Sequence, residues 1–348
     1  MSLAQHTLQG STMFEYKDEG TGLIIRQYTD SAPVRSSKFY FSTESFTSCD
    51  KYFFYKEDTE GGGAVYRVDY ETGHKELAFG PEYTNMCLDY HRPHAYMRKD
   101  DSLFRMDTDT GLLKEVAVFP PGKCNGHLSV SKSGLVWCSY HQANKIYALV
   151  VLDPATGKSE VVFQDDHFLN HCQACPGDDE TVMYVHETMG DALQRIWLFD
   201  YPTRRVRPYY VEKEGDWITH EVWTADGDHL YFIRYPHHIM RGSRDGHSFT
   251  QVAESTQFLH CAPDRSGKWI VADRVTGVFK GWKNQITLVN AQTGAEQVLA
   301  NLEEPTTGAE HPHPSFNRKG NVVLFNKPID KGVCNVCAID LSQLSTFK

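Results

Sequence analysis

The stretch Glu310 to Phe316, EHPHPSF, sets two histidines one residue apart, each followed by proline. In an extended strand this spacing puts both side chains on one face, about 6 to 7 Å apart along the chain. His311 and His313 can then reach one ion, and neutral imidazole binds Zn, Mn, Fe, Ni or Cu. The prolines remove backbone donors and stiffen the segment, which preorganises ligands and equally suits a harmless sheet edge. Other chemistries lack their residues. There is no G-x-S-x-G elbow and no P-loop, and GDHLYF and EGGGAVY read as hairpin turns. Cys172/Cys175 and Cys334/Cys337 are spaced C-x-x-C within strand-like segments, where the two thiols face opposite ways, so they read as packing cysteines.

The elements that must position these side chains repeat. Strongly apolar strands recur as KYFFYK, AYMRK, GLVWCSY, TVMYVHE, HLYFIRY, KWIVADR and NVVLFNK. Each is followed by a further strand and turn: VYRVDYETG, LFRMDTDTG, IYALVVLDPATG, RIWLFDYPT, SFTQVAE, ITLVNAQTG and NVCAIDLSQ. Val, Ile, Tyr, Phe and Trp with turn signals every eight to twelve residues indicate β-structure. Four-stranded units of roughly 40 to 45 residues, repeated, mark a β-propeller. The fold class expected is all-β, a seven-bladed β-propeller in one domain over 1–348. Its blades fall near 37–78, 82–119, 125–164, 168–210, 217–254, 256–300 and 309–344. The strand GLIIRQYT, 22–29, closes the ring by pairing into the last blade and removes its exposed edge.

The innermost strand of each blade lines the channel, so distance from the following turn gives depth along it. His127, His171, His220, His260 and His313 each stand seven positions before the turn residue, namely Gly134, Asp178, Gly227, Gly267 and Gly320. Any one alone reads as a hydrogen-bonded packing residue. Five in register read as a functional cluster.

Composition bounds the rest. The 348 residues are 40% hydrophobic and 23% charged, ordinary for a globular protein with a large core. The net charge of -10, without a Lys/Arg-rich stripe, argues against a nucleic-acid surface. An anionic ligand would need its basic partners gathered in one cleft, which draws attention to Arg234, Arg241, Arg244 and Arg274. No signal peptide or membrane span is indicated, and nine scattered cysteines suit reduced thiols, so the expected compartment is the cytoplasm.

The segments SFTSCDKYFFY, HETMGDALQRIW, THEVWTADGDHLYFIRY, HCAPDRSGKWIVADR and HPHPSFNRKGNVVLF span nearly the whole chain. With them the sequence resembles the oligogalacturonate lyases, polysaccharide lyase family 22, the last segment being close to that family's HPHPSF signature. The resemblance implies a seven-bladed propeller that cleaves short galacturonate oligomers, fragments of pectin, by β-elimination with a manganese-like ion. It implies metal ligands at His260, His311 and His313. A fourth family ligand, glutamine, falls at Gly308, and the family's histidine base falls among Met189, Gly190 and Asp191, where no histidine stands. His220 and His186 are the remaining candidates for base. Arg195 matches the family's substrate arginine, though one residue closer to His186, and with His171 and Arg241 completes the expected substrate contacts. The alternatives are a non-catalytic sugar- or metal-binding propeller and a metal-dependent hydrolase or lactonase on the same scaffold.

Overall fold

The computed structural model describes residues 13–30, 32–187, 194–255, 257–274, 284–302 and 310–347. Gly308, Met189, Gly190 and Asp191 lie outside the described residues. Within them the regular structure is β-strand, with three single-turn 3-10 segments, and no helix is long and apolar enough to cross a membrane.

Six four-stranded sheets cover 36–79, 84–118, 123–165, 169–208, 218–254 and 258–301, in chain order. The seventh has five strands, Ser315–Phe316, Val322–Asp330 and Val333–Asp340 joined by Ile24–Gln27 and Phe14–Lys17. These are the blades expected from the repeat, with bounds shifted by a few residues. By chain contacts there are two compact units. One comprises 1–81, 236–240 and 251–348, with the first, sixth and seventh sheets; the other comprises 82–235 and 241–250, with the second to fourth sheets and most of the fifth.

Why the second strand of each repeat is so apolar follows from its surroundings. Val136–His141 is buried along nearly its whole length, on both faces, because a neighbouring sheet packs on it. Trp137, Leu149 and Val151 of the third sheet join Leu169, Val182, Tyr184 and Phe199 of the fourth in one core cluster. Strands covered on both faces lose the polar alternation of a half-exposed strand. The C-x-x-C cysteines are buried free thiols in such cores, and burial pushes Cys175, Cys334 and Cys337 up to about 12.

In the first unit, Ile24–Gln27 pairs antiparallel with Val333–Asp340, setting Ile25 opposite Ile339. This is the closure expected from GLIIRQYT. Ile25 enters the apolar cluster of the sixth and seventh sheets, and the buried Tyr28 hydroxyl donates to the Tyr70 carbonyl at 2.7 Å.

Two features differ from the sequence reading. In the fifth sheet the third strand is His238–Ser243, and SFTQVAE supplies the fourth, Phe249–Glu254. HHIMRGS lacks the β-branched run and Thr-Gly turn of its counterparts, so its strand signal was weak. The innermost strands are also irregular at the register of the histidines. Their pairing shifts between Asn125 and Ser129, Asn170 and Gln173, Thr219 and Val222, and Phe258 and Cys261. These intervals contain His127, His171, His220 and His260. A bulge adds an unpaired residue and re-aims its side chain. His171, His220 and His313 adopt left-handed backbone, at φ of 48°, 58° and 45°. For a non-glycine residue this costs roughly 1–2 kcal/mol.

Truncating Ile25 to alanine leaves a cavity in the joined sheet. The expected loss is about 2–5 kcal/mol, read as a lower urea midpoint with an unchanged slope.

Candidate metal centre and buried charge network

In the first unit, His260, His311 and His313 each present a ring nitrogen, and the three nitrogens lie within 4.8 Å of one another. The rings are mutually inclined, with centroids 4.3 Å (His260 to His313), 5.6 Å (His260 to His311) and 5.9 Å (His311 to His313) apart. Tyr40 and Phe41 pack edgewise or tilted on the same rings, at 4.8 Å from His313 and 5.2 Å from His260. Three converging imidazoles in an aromatic wall are a donor set for a borderline divalent ion.

What fixes them is Asp273, whose carboxylate is completely buried. It accepts the backbone N–H of His260 at 2.8 Å, His260 Nδ1 at 2.8 Å and the backbone N–H of His313 at 3.1 Å. One side chain therefore orients the His260 ring and ties the HPH segment to the sixth sheet. With Nδ1 donating to Asp273, Nε2 of His260 is the nitrogen left to face an ion. Burial pushes the Asp273 carboxyl up to about 7, with His311 and the backbone donors pulling the other way.

The HPH carbonyls are held in turn. Asn326 donates its side-chain amide to His311 O at 3.0 Å and its backbone N–H to Pro312 O at 2.8 Å. Lys38 Nζ donates to His313 O at 2.8 Å and Phe39 O at 2.7 Å, while the Lys38 N–H donates to Asn326 Oδ1 at 2.8 Å. All three carbonyls of His311, Pro312 and His313 are thus engaged. Burial pushes the Lys38 ammonium down to about 7, against the attraction of Glu44 and Asp273. Glu310 is fully buried, and its carboxylate is not in the group of converging ligand atoms.

The second unit holds the other expected residues. Arg195 is buried, its Nε 2.6 Å from Glu221 Oε1 and its NH1 3.2 Å from Glu187 Oε1. Its backbone N–H donates to Glu212. Glu187 also reaches His171, Oε2 to Nε2 at 3.2 Å, so one carboxylate spans His171 and Arg195. The contact with His171 outweighs burial and, with Arg195, holds Glu187 down to about 2. Burial pushes Glu212 up to about 7. His220 lies in its bulge with Nδ1 3.1 Å from the Thr219 hydroxyl. His186 turns instead toward Asp165, Nε2 to Oδ2 at 3.3 Å, and packs on Trp197.

The tracked arginines are mostly occupied. Arg234 pairs with Asp216 at 2.8 Å. Arg244 laces turns together through Gly227 O, Asp178 and Asp228. Arg274 meets Gln285 and Glu296. Arg241 is partly buried.

Sequence reasoning singled out the histidines and missed their supports. Asp273 stands next to the end of a largely apolar strand and Glu221 interrupts another, a buried-acid signal that could have found both. Lys38 and Asn326 carry no such mark, because their partners are distant in sequence.

Residues 135–257 match the family model described as oligogalacturonate lyase. The chain is 27% identical over 212 residues to the oligogalacturonide lyase of Pectobacterium atrosepticum, and 24% identical over 216 residues to the oligogalacturonate lyase of Dickeya dadantii. Each match spans 55% of this chain, and the chain spans about half the length of these curated relatives, 55% in both cases. A solved oligogalacturonate lyase of Vibrio parahaemolyticus superposes with a TM-score of 0.83 at 20% identity, covering 97% of this chain and 98% of that one. An oligogalacturonate lyase solved in complex with manganese gives 0.84 at the same identity and coverage. The chain thus resembles the oligogalacturonate lyases, and its fold is the seven-bladed β-propeller.

The Glu187 carboxyl has an ordinary value of 4.5 and about 2 in the folded chain. Its contribution to stability is present above 4.5 and is lost as pH falls toward 2. A Glu187→Gln variant is expected to show a shallower acid loss of stability across that window, followed by urea denaturation at successive pH values.

Proposed function

We propose that this protein is a lyase that cleaves short galacturonate oligomers by β-elimination, using a divalent ion, manganese in the first instance, held by His260, His311 and His313. The observation that carries the reading is the convergence of those three imidazoles with Asp273 behind them. Three nitrogen ligands leave positions open, as in catalytic rather than closed structural sites. When bound, the ion supplies Lewis-acid stabilisation of the charge that develops on the uronate carboxylate. The names of the relatives and of the manganese complex support the same assignment.

The chain's own residues supply the proton transfer and the carboxylate contacts. The proton on C5 of the uronate is α to a carboxylate and weakly acidic. His220 takes it. The C–H electron pair becomes the C4–C5 double bond, and the C4–oxygen bond breaks with its pair leaving on the glycosidic oxygen, which takes up a proton. A positioned base contributes about 10² to 10⁴ in rate. With His220 Nδ1 donating to the Thr219 hydroxyl, Nε2 would be the proton acceptor.

Arg195, His171 and Arg241 receive the acidic sugar. Arg195 already balances Glu221 and Glu187. A substrate carboxylate reaches Arg195 and His171 by replacing Glu187, the more exposed of its two partners. Asp273, Lys38 and Asn326 act through the ligands as positioning residues.

Incubation of the purified protein with di- and trigalacturonate and Mn²⁺ is expected to raise the ultraviolet absorbance of a conjugated unsaturated uronate. Metal-loaded protein without that rise contradicts the reading. His311→Ala combined with His313→Ala should abolish both metal content and rate. His220→Ala should lose about 10²-fold or more in kcat while keeping its metal, and retention of full rate removes it as the base. Asp273→Asn should weaken metal affinity about 10- to 100-fold, with activity recovering at high Mn²⁺.

A further inference from the structure

We infer that Asp165, His167 and His186 form a second metal site, for a borderline divalent transition ion of the zinc, cobalt or nickel kind. The inference does not rest on the lyase reading. The ligand atoms of the three residues lie within 4.8 Å of one another, a grouping shared among the described residues only with the His260 cluster. Asp165 divides its oxygens between the two rings: Oδ1 lies 2.9 Å from His167 Nδ1, and Oδ2 lies 3.3 Å from His186 Nε2.

Two of the three groups are fixed in place. Asp165 ends a strand of the third sheet and accepts the backbone N–H of His167 at 2.9 Å, a turn that folds the D-x-H sequence back on its own carboxylate. His186 ends a strand of the fourth sheet, its side chain 12% exposed, between Trp197 at 5.1 Å and Tyr184 at 5.8 Å. His167 stacks on His186 at 4.8 Å and is 62% exposed, which gives an ion a way in and leaves one ligand free to adjust. Two ligands at about 2.1 Å from one ion are at most about 4.2 Å apart, so closing the site needs a movement of under about 1 Å.

The chemistry separates this site from a calcium or magnesium site. Two imidazoles and one carboxylate favour borderline ions over hard ones. Asp166 Oδ1, 3.0 Å from His167 Nδ1, adds negative charge beside the entry. Binding exchanges the proton that His167 Nδ1 shares with Asp165 for the ion, so metal uptake releases protons. The site also commits His186 as a ligand. That removes it from the candidates for the base and leaves proton abstraction to His220. Glu187, the next residue, is the carboxylate spanning His171 and Arg195, so the ion sits at the end of the strand that presents this charge network.

The test is calorimetric titration of the metal-stripped full chain with Zn²⁺, repeated with Co²⁺ while recording visible absorption. The wild type is expected to take up two equivalents, the His311→Ala, His313→Ala double variant one, and His167→Ala one. His167 is exposed, so its removal should leave the fold intact, checked by an unchanged urea midpoint. In the double variant, Co²⁺ should still give a visible ligand-field band, which the further change His167→Ala abolishes. A single equivalent in the wild type that His167→Ala retains, or two equivalents retained by His167→Ala, overturns the assignment. Lyase activity is not read, so the outcome stands whatever substrate the protein acts on.

Discussion

A carboxylate taken wholly out of water survives only where donors surround it, and Asp273 meets that condition with three. Those donors are two atoms of His260 and the backbone of His313, so satisfying Asp273 and aligning the ligands are one event. The same constraint spreads outward. His313 can present its N–H to Asp273 because its backbone is left-handed, and the HPH segment keeps that course because Asn326 and Lys38 hold its carbonyls. Proline at 312 and 314 removes the donors that would otherwise pull the segment into the regular ladder.

Charge organises the other unit in the same way. Glu221 is fully buried, and Arg195 is its partner; a buried ion left alone costs about 3–5 kcal/mol. Glu187 is the looser member, partly exposed and shared between Arg195 and His171. One guanidinium thereby carries both a fully buried ion pair and a partly exposed one. Left-handed backbone at His171 and His220 costs free energy, and strain of this kind concentrates where a side chain must be aimed.

The blades were legible because their middle strands are covered on both faces and read as apolar runs at a fixed period, and the closing strand was legible from GLIIRQYT. The fifth blade's third strand was misread because HHIMRGS has neither the β-branched content nor the turn of its counterparts. At the site, the register of His260 and His313 could be counted from the turns. The bulge that aims His260 could not, since a bulge is a property of pairing between two strands and leaves no mark on either alone. Lys38 and Asn326 were invisible for a related reason. Lys38 acts on a segment brought near only by the packing of the first sheet on the seventh, and Asn326 on one brought near by the folding of the seventh sheet itself.

The central claim is that Asp273 prepares His260, His311 and His313 as one metal site before any ion arrives. Anomalous diffraction from a crystal equilibrated with Mn²⁺ tests it directly. The account requires a peak about 2 Å from His260 Nε2 and from one ring nitrogen each of His311 and His313, with His260 Nδ1 still on Asp273 and the HPH backbone unmoved. An ion bound elsewhere in the first unit, or a His260 ring turned to offer Nδ1 with Asp273 released, would contradict it.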